Sequence, residues 1–313
     1  MLKKKAPRGI MGYVLVSRGS DKRRGKRFRP QAAGPLMPGP VLFLDSGVGG
    51  IPYCRRFLDR PNPPGLIYLA DRAHFPYGSR TKEELVELLS RHIERIIAAY
   101  NPVLAVLACN TASVSALGEL RRRFPGLPFV GTVPAVKPAV EESVLRSVGI
   151  LGTERTIADP YLDGLASRYG PDCAIHKAAA PELVVFVEHR LAAASREERF
   201  AAAASYVRRF RDLGADAIVL GCTHFLFLLD EFRAAAGPAM KIYDSVEGVR
   251  ARVEAVLEDR GAAQPSGEPP RDPAQNPAGP ERILLLSGED PPGPVWEDRA
   301  RRWGMTPVLF PRP

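Results

Sequence analysis

Residues 103–111, VLAVLACNT, pass from an apolar run through one cysteine into small polar residues, and the pattern returns at residues 216–224, DAIVLGCTH. An apolar run that ends where a helical pattern starts is typical of a strand in a parallel sheet. Cys109 and Cys222 both lie at such a strand-to-helix junction. The chain therefore reads as two similar α/β halves, each with one cysteine at the carboxyl end of a strand.

The first half alternates strand and helix patterns from Val41 onward. Its predicted strands are 41–45, 66–70, 103–108 and 128–131, and its predicted helices are 49–58, 81–100 and 110–124. Thr81 and Glu84 have the spacing of a capping box, which predicts the start of the longest helix. His92 falls in the apolar stripe of that helix, so we interpret it as a core or edge histidine rather than a catalytic one.

The second half repeats this order from residue 148. Its predicted strands are 148–151, 173–177 and 216–220, and its predicted helices are 154–168, 181–193, 196–213, 224–236 and 245–259. A Pro/Gly/Ala-rich linker follows at 261–280. After the linker, a strand at 283–286 and a helix at 296–303 are expected to pack back on the first half.

The predicted fold class is α/β, with two pseudo-symmetric domains, each a mostly parallel sheet flanked by helices, and the active site between them. Residues 41–134 plus 244–313 are assigned to the first domain, including the Pro/Gly-rich linker 260–281, and residues 135–243 to the second. Residues 1–40 are rich in Lys, Arg, Gly and Pro, so they are expected to be a disordered extension, or to be untranslated if synthesis begins at Met37.

The charge of the chain is concentrated at its start. The 313 residues carry a net charge of +9, and residues 1–30 contain eleven Lys or Arg against one Asp. The rest of the chain is therefore nearly neutral, which favours neither a nucleic-acid nor a membrane surface on the folded part. Nucleic-acid binding by residues 1–30 is a weaker alternative, because the segment has only Tyr13 and Phe28 as aromatics and no fold motif.

The four cysteines form no C-x-x-C pair and no dense framework, so the sequence indicates neither a zinc ribbon nor a disulfide scaffold. Reduced thiols in the cytoplasm are expected. No apolar run approaches the roughly 20 residues needed to span a bilayer, and the run near the start lacks a cleavage site. No metal site and no cofactor is predicted: metal-ligand spacing is absent, and Lys137 lacks the phosphate loop of a pyridoxal-phosphate enzyme. Cys54 and Cys173 are interpreted as packing residues.

The chemistry is expected at the carboxyl ends of the strands, where helix N-termini supply backbone N–H groups. There the N–H groups should favour the thiolates of Cys109 and Cys222. Asp45 and the glycines after it form a turn that could wrap an anion, although the turn is weak evidence by itself.

A series of motifs occurs in order over residues 41–250. They are LDSGVGG from Leu44, ADRAHFPYG from Ala70, ACNTAS from Ala108, VPAVKPA from Val133, GILGTERTI from Gly149, a helix ending in Val187 and Glu188, GCTH from Gly221, and YDS from Tyr243. This ordered set resembles the cofactor-independent glutamate racemases of the aspartate/glutamate racemase superfamily. The resemblance implies a homodimeric cytoplasmic enzyme that supplies D-glutamate for peptidoglycan.

The resemblance also implies a two-base mechanism. Cys109 would deprotonate D-glutamate and Cys222 L-glutamate, with Asp45 and His224 as auxiliary groups and Glu188 holding the histidine. The groups that would hold the substrate are Asp45, Ser46, Pro76, Tyr77, Gly78, Asn110, Thr111, Thr153 and Thr223. Because the two thiols must differ in protonation state, we expect a bell-shaped pH dependence.

Several positions depart from the family pattern. The family commonly has Thr and Arg at Arg72 and His74, proline at Val185 and Leu226, and alanine at Val246. Pro76, Tyr77 and Gly78 are intact, so the departures concern substrate fit more than chemistry. His224 favours glutamate over aspartate, because aspartate racemases more often resemble a Cys-Thr-Glu pattern there. An aspartate racemase, a maleate isomerase or another superfamily isomerase acting on a small dicarboxylate is the alternative.

Overall fold

The computed structural model describes residues 39–259 and 281–311. The basic segment 1–30 and the predicted linker 261–280 lie outside the described residues. Two parallel sheets with helices packed against them form the described part of the chain, which confirms the predicted α/β class.

The first sheet has six parallel strands in the order β10-β9-β2-β1-β3-β4. Its strands are β1 (Val41–Asp45), β2 (Leu66–Ala70), β3 (Leu104–Leu107), β4 (Phe129–Gly131), β9 (Arg282–Ser287) and β10 (Thr306–Phe310). The central strands β1, β2 and β3 are buried throughout, as expected for a sheet covered on both faces. Strand β10 was missed by the sequence analysis.

The second sheet has four parallel strands in the order β6-β5-β7-β8. Its strands are β5 (Ser147–Gly152), β6 (Ala174–Ala179), β7 (Ala217–Gly221) and β8 (Lys241–Tyr243). The second sheet thus takes its strands from one continuous stretch of chain, and the first sheet from the stretches on either side. The predicted domain boundaries are compatible with this arrangement and stay a prediction.

The helices beside the first sheet are α1 (Ile51–Leu58), α2 (Lys82–Tyr100), α3 (Asn110–Arg123), α10 (Val246–Asp259) and α11 (Gly293–Trp303). The predicted capping box is present: the Thr81 hydroxyl accepts from the Glu84 N–H, and the Glu84 carboxylate accepts from the Thr81 N–H. His92 is fully buried on α2. Helix α11 begins three residues before the predicted position.

The helices beside the second sheet are α4 (Val136–Glu142), α5 (Glu154–Ala158), α6 (Pro160–Tyr169), α7 (Pro181–Val185), α8 (Arg196–Asp212) and α9 (Leu229–Ala236). The single helix predicted at 154–168 is wrong, because Asp159 caps a new helix whose first residue is Pro160. The predicted helix at 181–193 changes into a π-helical turn at Phe186–Arg190. The helix predicted at 224–236 begins as a 3₁₀ segment, Thr223–Leu228.

The C-terminal segment joins the two hydrophobic cores. Strand β9 pairs with β2 in the first sheet. Trp296 and Trp303 of α11 pack against the apolar cluster of the first sheet and also against that of the second. No helix in the described ranges is long and apolar enough to cross a membrane.

Candidate active site

The loop after β1 carries a buried carboxylate that reaches the second half. Asp45 is fully buried. Its Oδ1 accepts from the Gly47 N–H at 2.8 Å, and its Oδ2 accepts from the Thr223 hydroxyl at 3.1 Å. Burial raises the pKa of Asp45, and the bonds from Gly47 and Thr223 and the charge of His224 only partly oppose this. Ser46, next in the loop, is also buried.

Cys109 follows β3 and occupies the N-cap position of α3. Burial raises the pKa of its thiol well above the usual value, and the negative charges of Asp45 and Cys222 add to the rise. The N–H groups of Ala112 and Thr111 act in the opposite direction but do not prevail. The N–H groups at the helix N-terminus thus favour the Cys109 thiolate, as expected, but desolvation outweighs them and the net pKa is raised.

The residues after Cys109 offer polar groups to this junction. The side-chain nitrogen and oxygen of Asn110 are buried and have no hydrogen-bond partner among the described residues. The Thr111 hydroxyl lies 3.0 Å from the Thr153 hydroxyl and 3.3 Å from that of Thr156. Thr111 therefore connects α3 to the loop after β5, while the Asn110 amide is free to bind a polar ligand.

Cys222 follows β7 and is buried in the matching position of the second sheet. Its Sγ lies 3.9 Å from His224 Nδ1, and His224 Nε2 lies 3.1 Å from Glu188 Oε2. Burial acts to lower the pKa of His224, but the contacts with Cys222 and Glu188 and the charge of Asp45 raise it well above its usual value. The His224 ring therefore connects the Cys222 sulfur to the Glu188 carboxylate.

Glu188 lies in the π-helical turn Phe186–Arg190 and is almost fully buried. Such turns often occur at functional sites. Its Oε2 also accepts from the Val48 N–H of the first half at 3.0 Å. Burial acts to raise the pKa of Glu188, but His224, the Val48 N–H and Arg299 lower it below its usual value.

The turn at Pro76, Tyr77 and Gly78 lies against the second half. The Phe75–Pro76 peptide bond is cis. A Cβ on Gly78 would lie 3.2 Å from the Thr153 Cβ, so the backbone of the turn approaches that residue closely. Tyr77 is buried and its hydroxyl donates to Asp71 Oδ2 at 2.6 Å. The Tyr77 hydroxyl is thus already engaged with Asp71.

A cluster around Asp71 was missed by the sequence analysis. His74 Nδ1 lies 2.7 Å and the Ser287 hydroxyl 2.5 Å from Asp71 Oδ1. His92 Nε2 lies 3.1 Å from Asp71 Oδ2, without the angle of a hydrogen bond. The only sequence signals were the stripe position of His92 and the departure from the family pattern at His74.

The Asp71 cluster is the one group of at least three metal-ligand side chains found among the described residues. One ligand atom each of Asp71, His74 and His92 lies within 4.8 Å of the others. Histidine nitrogens with a carboxylate suit a transition metal. No metal site was predicted, because the sequence shows no metal-ligand spacing; this set comes from two helical segments and a loop, so sequence spacing could not reveal it.

Cys54, Cys173 and Lys137, which the sequence analysis set aside, lie in packing or surface positions. Cys54 is buried inside α1, and Cys173 is partly exposed before β6. Lys137 is exposed and 3.9 Å from Glu141. His176 contacts Ser147, and the His189 ring lies against Phe75.

Among the departures from the family pattern, Arg72 donates to the backbone oxygen of Ser287 at 2.8 Å. Val185 is half exposed, and Leu226 and Val246 pack in the apolar cluster of the first sheet. Within the described part of the chain, none of these four side chains forms a hydrogen bond with Cys109 or Cys222.

Comparison with known proteins decides the family. A family model described as Asp/Glu/Hydantoin racemase matches residues 57–255. The chain belongs to this racemase family. A glutamate racemase from Roseiflexus sp. (strain RS-1) is 40% identical over 222 residues, which are 71% of this chain and 80% of that protein.

Solved racemase structures share the fold. An Escherichia coli glutamate racemase in complex with L-glutamate and the activator UDP-MurNAc-ala has a TM-score of 0.73 at 28% identity, with 87% of this chain and 98% of that chain covered. A Thermus thermophilus glutamate racemase in complex with beta-chloro-D-alanine has a TM-score of 0.63 at 26% identity, with 87% and 96% covered. The likeness of fold thus extends over nearly the whole length of both solved chains.

Proposed function

We propose that this protein is a glutamate racemase that interconverts L- and D-glutamate without a cofactor, using Cys109 and Cys222 as the two proton-transfer groups. The observation that carries the proposal is the matched placement of the two thiols. Each follows a central strand of its own sheet, and the negative charge of one is close enough to raise the pKa of the other. The family membership and the glutamate racemases among its relatives point to the same reaction.

The reaction requires one thiolate and one thiol at the same time. The thiolate takes the proton from Cα of glutamate, and the electron pair of the broken C–H bond stays on the carbon, delocalised into the adjacent carboxylate. The opposite thiol gives its proton to the other face of the carbon and becomes the thiolate. By the family resemblance Cys222 acts on L-glutamate and Cys109 on D-glutamate.

The charged neighbours differ on the two sides. On the Cys222 side, the His224 ring lies next to the sulfur, and Glu188 holds that ring. On the Cys109 side, burial and the charge of Asp45 favour the neutral thiol. A bound substrate brings an ammonium group. Its positive charge favours the Cys109 thiolate and so acts against burial and the charge of Asp45. The raised pKa of Cys109 suits this thiol to act as the proton donor in the free protein.

The substrate would be held by polar groups at the strand ends. The unpaired amide of Asn110 can contact a carboxylate or an ammonium group. The hydroxyls of Thr111, Thr153 and Thr223, the loop of Asp45 and Ser46, and the backbone at 76–78 complete the proposed set. Hydroxyl, amide and backbone groups of this kind can bind the ammonium group and the two carboxylates of a small dicarboxylic amino acid.

Glutamate is favoured over aspartate by the relatives and by His224. The glutamate racemases among the relatives include one from Sphingopyxis alaskensis, 40% identical over 224 residues. Aspartate racemase activity is the second candidate. Measuring turnover of the protein on aspartate and on glutamate distinguishes the two. We further infer a homodimer that works in the cytoplasm and supplies D-glutamate for peptidoglycan.

The test is incubation of each glutamate enantiomer with the protein in D₂O without added cofactor, with a chelator present. We expect loss of optical rotation and one deuterium at Cα of the product. Cys109→Ser and Cys222→Ser should each abolish racemisation, because serine is far too weak an acid to replace a thiol in this exchange. Cys173→Ser, at a partly exposed cysteine outside the site, is the matched control and should keep full activity.

Two outcomes would overturn the proposal. One is turnover of aspartate at a higher kcat/KM than glutamate, which would establish the alternative. The other is full racemase activity in either Cys109→Ser or Cys222→Ser, which would exclude a mechanism based on paired thiols.

A further inference from the structure

The side chain of Arg299 connects the C-terminal helix to the proposed Cys222 side of the site. Arg299 lies on α11, whose neighbouring strands β9 and β10 belong to the first sheet. Its Nη1 lies 3.3 Å from Glu188 Oε1, and its Nη2 donates to the Glu188 backbone oxygen at 2.6 Å. One guanidinium thus binds both the side chain and the main chain of Glu188.

The Arg299 guanidinium packs against the ring of Trp296 on the same helix. Its Cζ lies 4.7 Å from the centre of the Trp296 ring, and Trp296 packs between the two hydrophobic cores. The Arg299 side chain is only 18% exposed. A planar guanidinium stacked on an aromatic ring loses little further freedom when it binds, so its two contacts with Glu188 are preorganised.

The two oxygens of Glu188 have separate partners. Oε1 faces Arg299, while Oε2 faces His224 Nε2 and the Val48 N–H. Rotation of the carboxylate away from His224 would break the Arg299 contact as well. The orientation of the His224 ring, and with it the 3.9 Å contact of Nδ1 with Cys222 Sγ, therefore depends on Arg299.

We propose that Arg299 is a positioning residue for the Cys222 half-reaction, acting through Glu188 and His224 without touching the substrate. This inference rests on the proposed racemase function. It assigns the C-terminal helix a role in the chemistry in addition to its role in packing, because the residue that fixes one acid/base group comes from the far end of the chain.

The charged and titratable groups around Glu188 set the sign of the pH effect. They are Arg299 from α11, His224 after β7, Asp45 at the end of β1 and Tyr68 of β2. Among these, His224 and Arg299 lower the pKa of Glu188. Removing Arg299 raises the pKa of Glu188. The Glu188 carboxylate then becomes protonated at a higher pH than in the unaltered protein, and a protonated Glu188 no longer holds His224. The acid limb of kcat/KM should move to higher pH.

The test compares Arg299→Gln with Arg302→Gln, a matched control on the same helix whose side chain is exposed and pairs with Asp298. Loss of a charge-assisted contact to a buried carboxylate should lower kcat/KM of Arg299→Gln by about 10-fold to 100-fold. Arg299→Lys keeps the charge but not the fork, so it should fall between the two. Arg302→Gln should match the unaltered protein.

Deuterium isotope effects separate positioning from general damage. The two enantiomers have equal free energies, so kcat/KM stays equal in both directions for every variant. The isotope effect on kcat/KM measured with [2-²H]-L-glutamate reports proton abstraction by Cys222. The isotope effect measured with [2-²H]-D-glutamate reports proton abstraction by Cys109. When the Cys222 step becomes slower, the first effect should rise and the second should fall.

Equal activity of Arg299→Gln and Arg302→Gln would overturn the inference. So would a loss of activity in which the two isotope effects stay as they are in the unaltered protein, since a merely structural defect has that signature. Absence of glutamate racemisation by the unaltered protein would instead overturn the proposed function itself, and this inference with it.

Discussion

Two buried carboxylates of the site differ because their partners differ. Asp45 receives hydrogen bonds from neutral donors, the Gly47 N–H and the Thr223 hydroxyl, and burial still raises its pKa. Glu188 faces His224 and Arg299, and its pKa is lowered despite burial. A positive partner at hydrogen-bond distance can offset desolvation, whereas two neutral donors do not. Burial thus raises the pKa of one carboxyl group, while the positive partners of the other hold its pKa below the usual value.

Asp71→Asn should lower the free energy of unfolding at pH 7 by about 3 kcal/mol, as expected when a buried ionic network loses one member. Burial acts to raise the pKa of Asp71, but His74, His92 and Ser287 lower it below the ordinary value of 3.8. A carboxylate whose pKa is lowered by folding stabilises the fold fully at any pH above its pKa in the unfolded chain. This contribution is lost as the pH falls below that pKa. Urea unfolding should show the same difference from the unaltered protein at pH 7 and at pH 4, and a shrinking difference as the pH falls below 3.8.

The control is Asp172→Asn, which removes an exposed carboxylate paired with Arg146. It should cost much less than Asp71→Asn, because solvent screens an exposed pair. Equal losses in the two variants would contradict the network assigned to Asp71.

At the scale of single elements, local sequence decides where helices begin. The capping boxes at Thr81 and Ser195 lie at the starts of α2 and α8, the two longest helices of the described ranges. Where local signals compete, the element breaks: Asp159 and Pro160 start a new helix inside a pattern that otherwise reads as one. Short-range chemistry of this kind is readable from the sequence because the groups involved are within four residues of each other.

Thr81→Ala should lower the free energy of unfolding by about 1 kcal/mol, because the Glu84 N–H loses its acceptor at the helix start. Thr81→Ser keeps the hydroxyl and is the matched control, with stability close to that of the unaltered protein. Urea unfolding monitored by circular dichroism measures both. If alanine and serine gave the same stability, the hydroxyl would not be the stabilising group.

At the scale of the whole molecule, the site is assembled by loops that interlock across the two halves. The loop after β1 packs against the second half so closely that a Cβ on Gly47 would lie 2.8 Å from Glu188 Cδ, and one on Gly49 would lie 2.6 Å from His224 Nδ1. Glycine is required here by proximity, since a side chain would displace the groups that the two halves share.

Gly47→Ala and Gly49→Ala should therefore each lower kcat/KM by at least about 10-fold, the cost of moving a catalytic contact by less than an ångström. Gly248→Ala, in helix α10 with open space around it, is the control and should keep activity. It should also gain up to about 1 kcal/mol of stability from the better helix former. Steady-state kinetics and thermal unfolding of the three variants check this.

Unchanged kinetics in both Gly47→Ala and Gly49→Ala would mean that the two halves do not hold the proposed site groups in contact. A loss of activity in Gly248→Ala as well would show that the assay responds to stability rather than to the interlock.

The sequence by itself determined the α/β class, the central strands, the cap of α2 and the two cysteine junctions, because each depends on periodicity or on residues a few positions apart. It also pointed to Asp45, Glu188 and His224 through the motif series. It could not place Arg299 against Glu188 or Ser287 against Asp71, which are 111 and 216 positions apart.

Only the tertiary structure decided those contacts, together with the high pKa of Cys109. The helix N-terminus that should favour a thiolate is a local feature, but the burial that opposes it arises when strands and helices distant in the chain close around the sulfur. Desolvation depends on everything that surrounds a group, so no short stretch of sequence contains it.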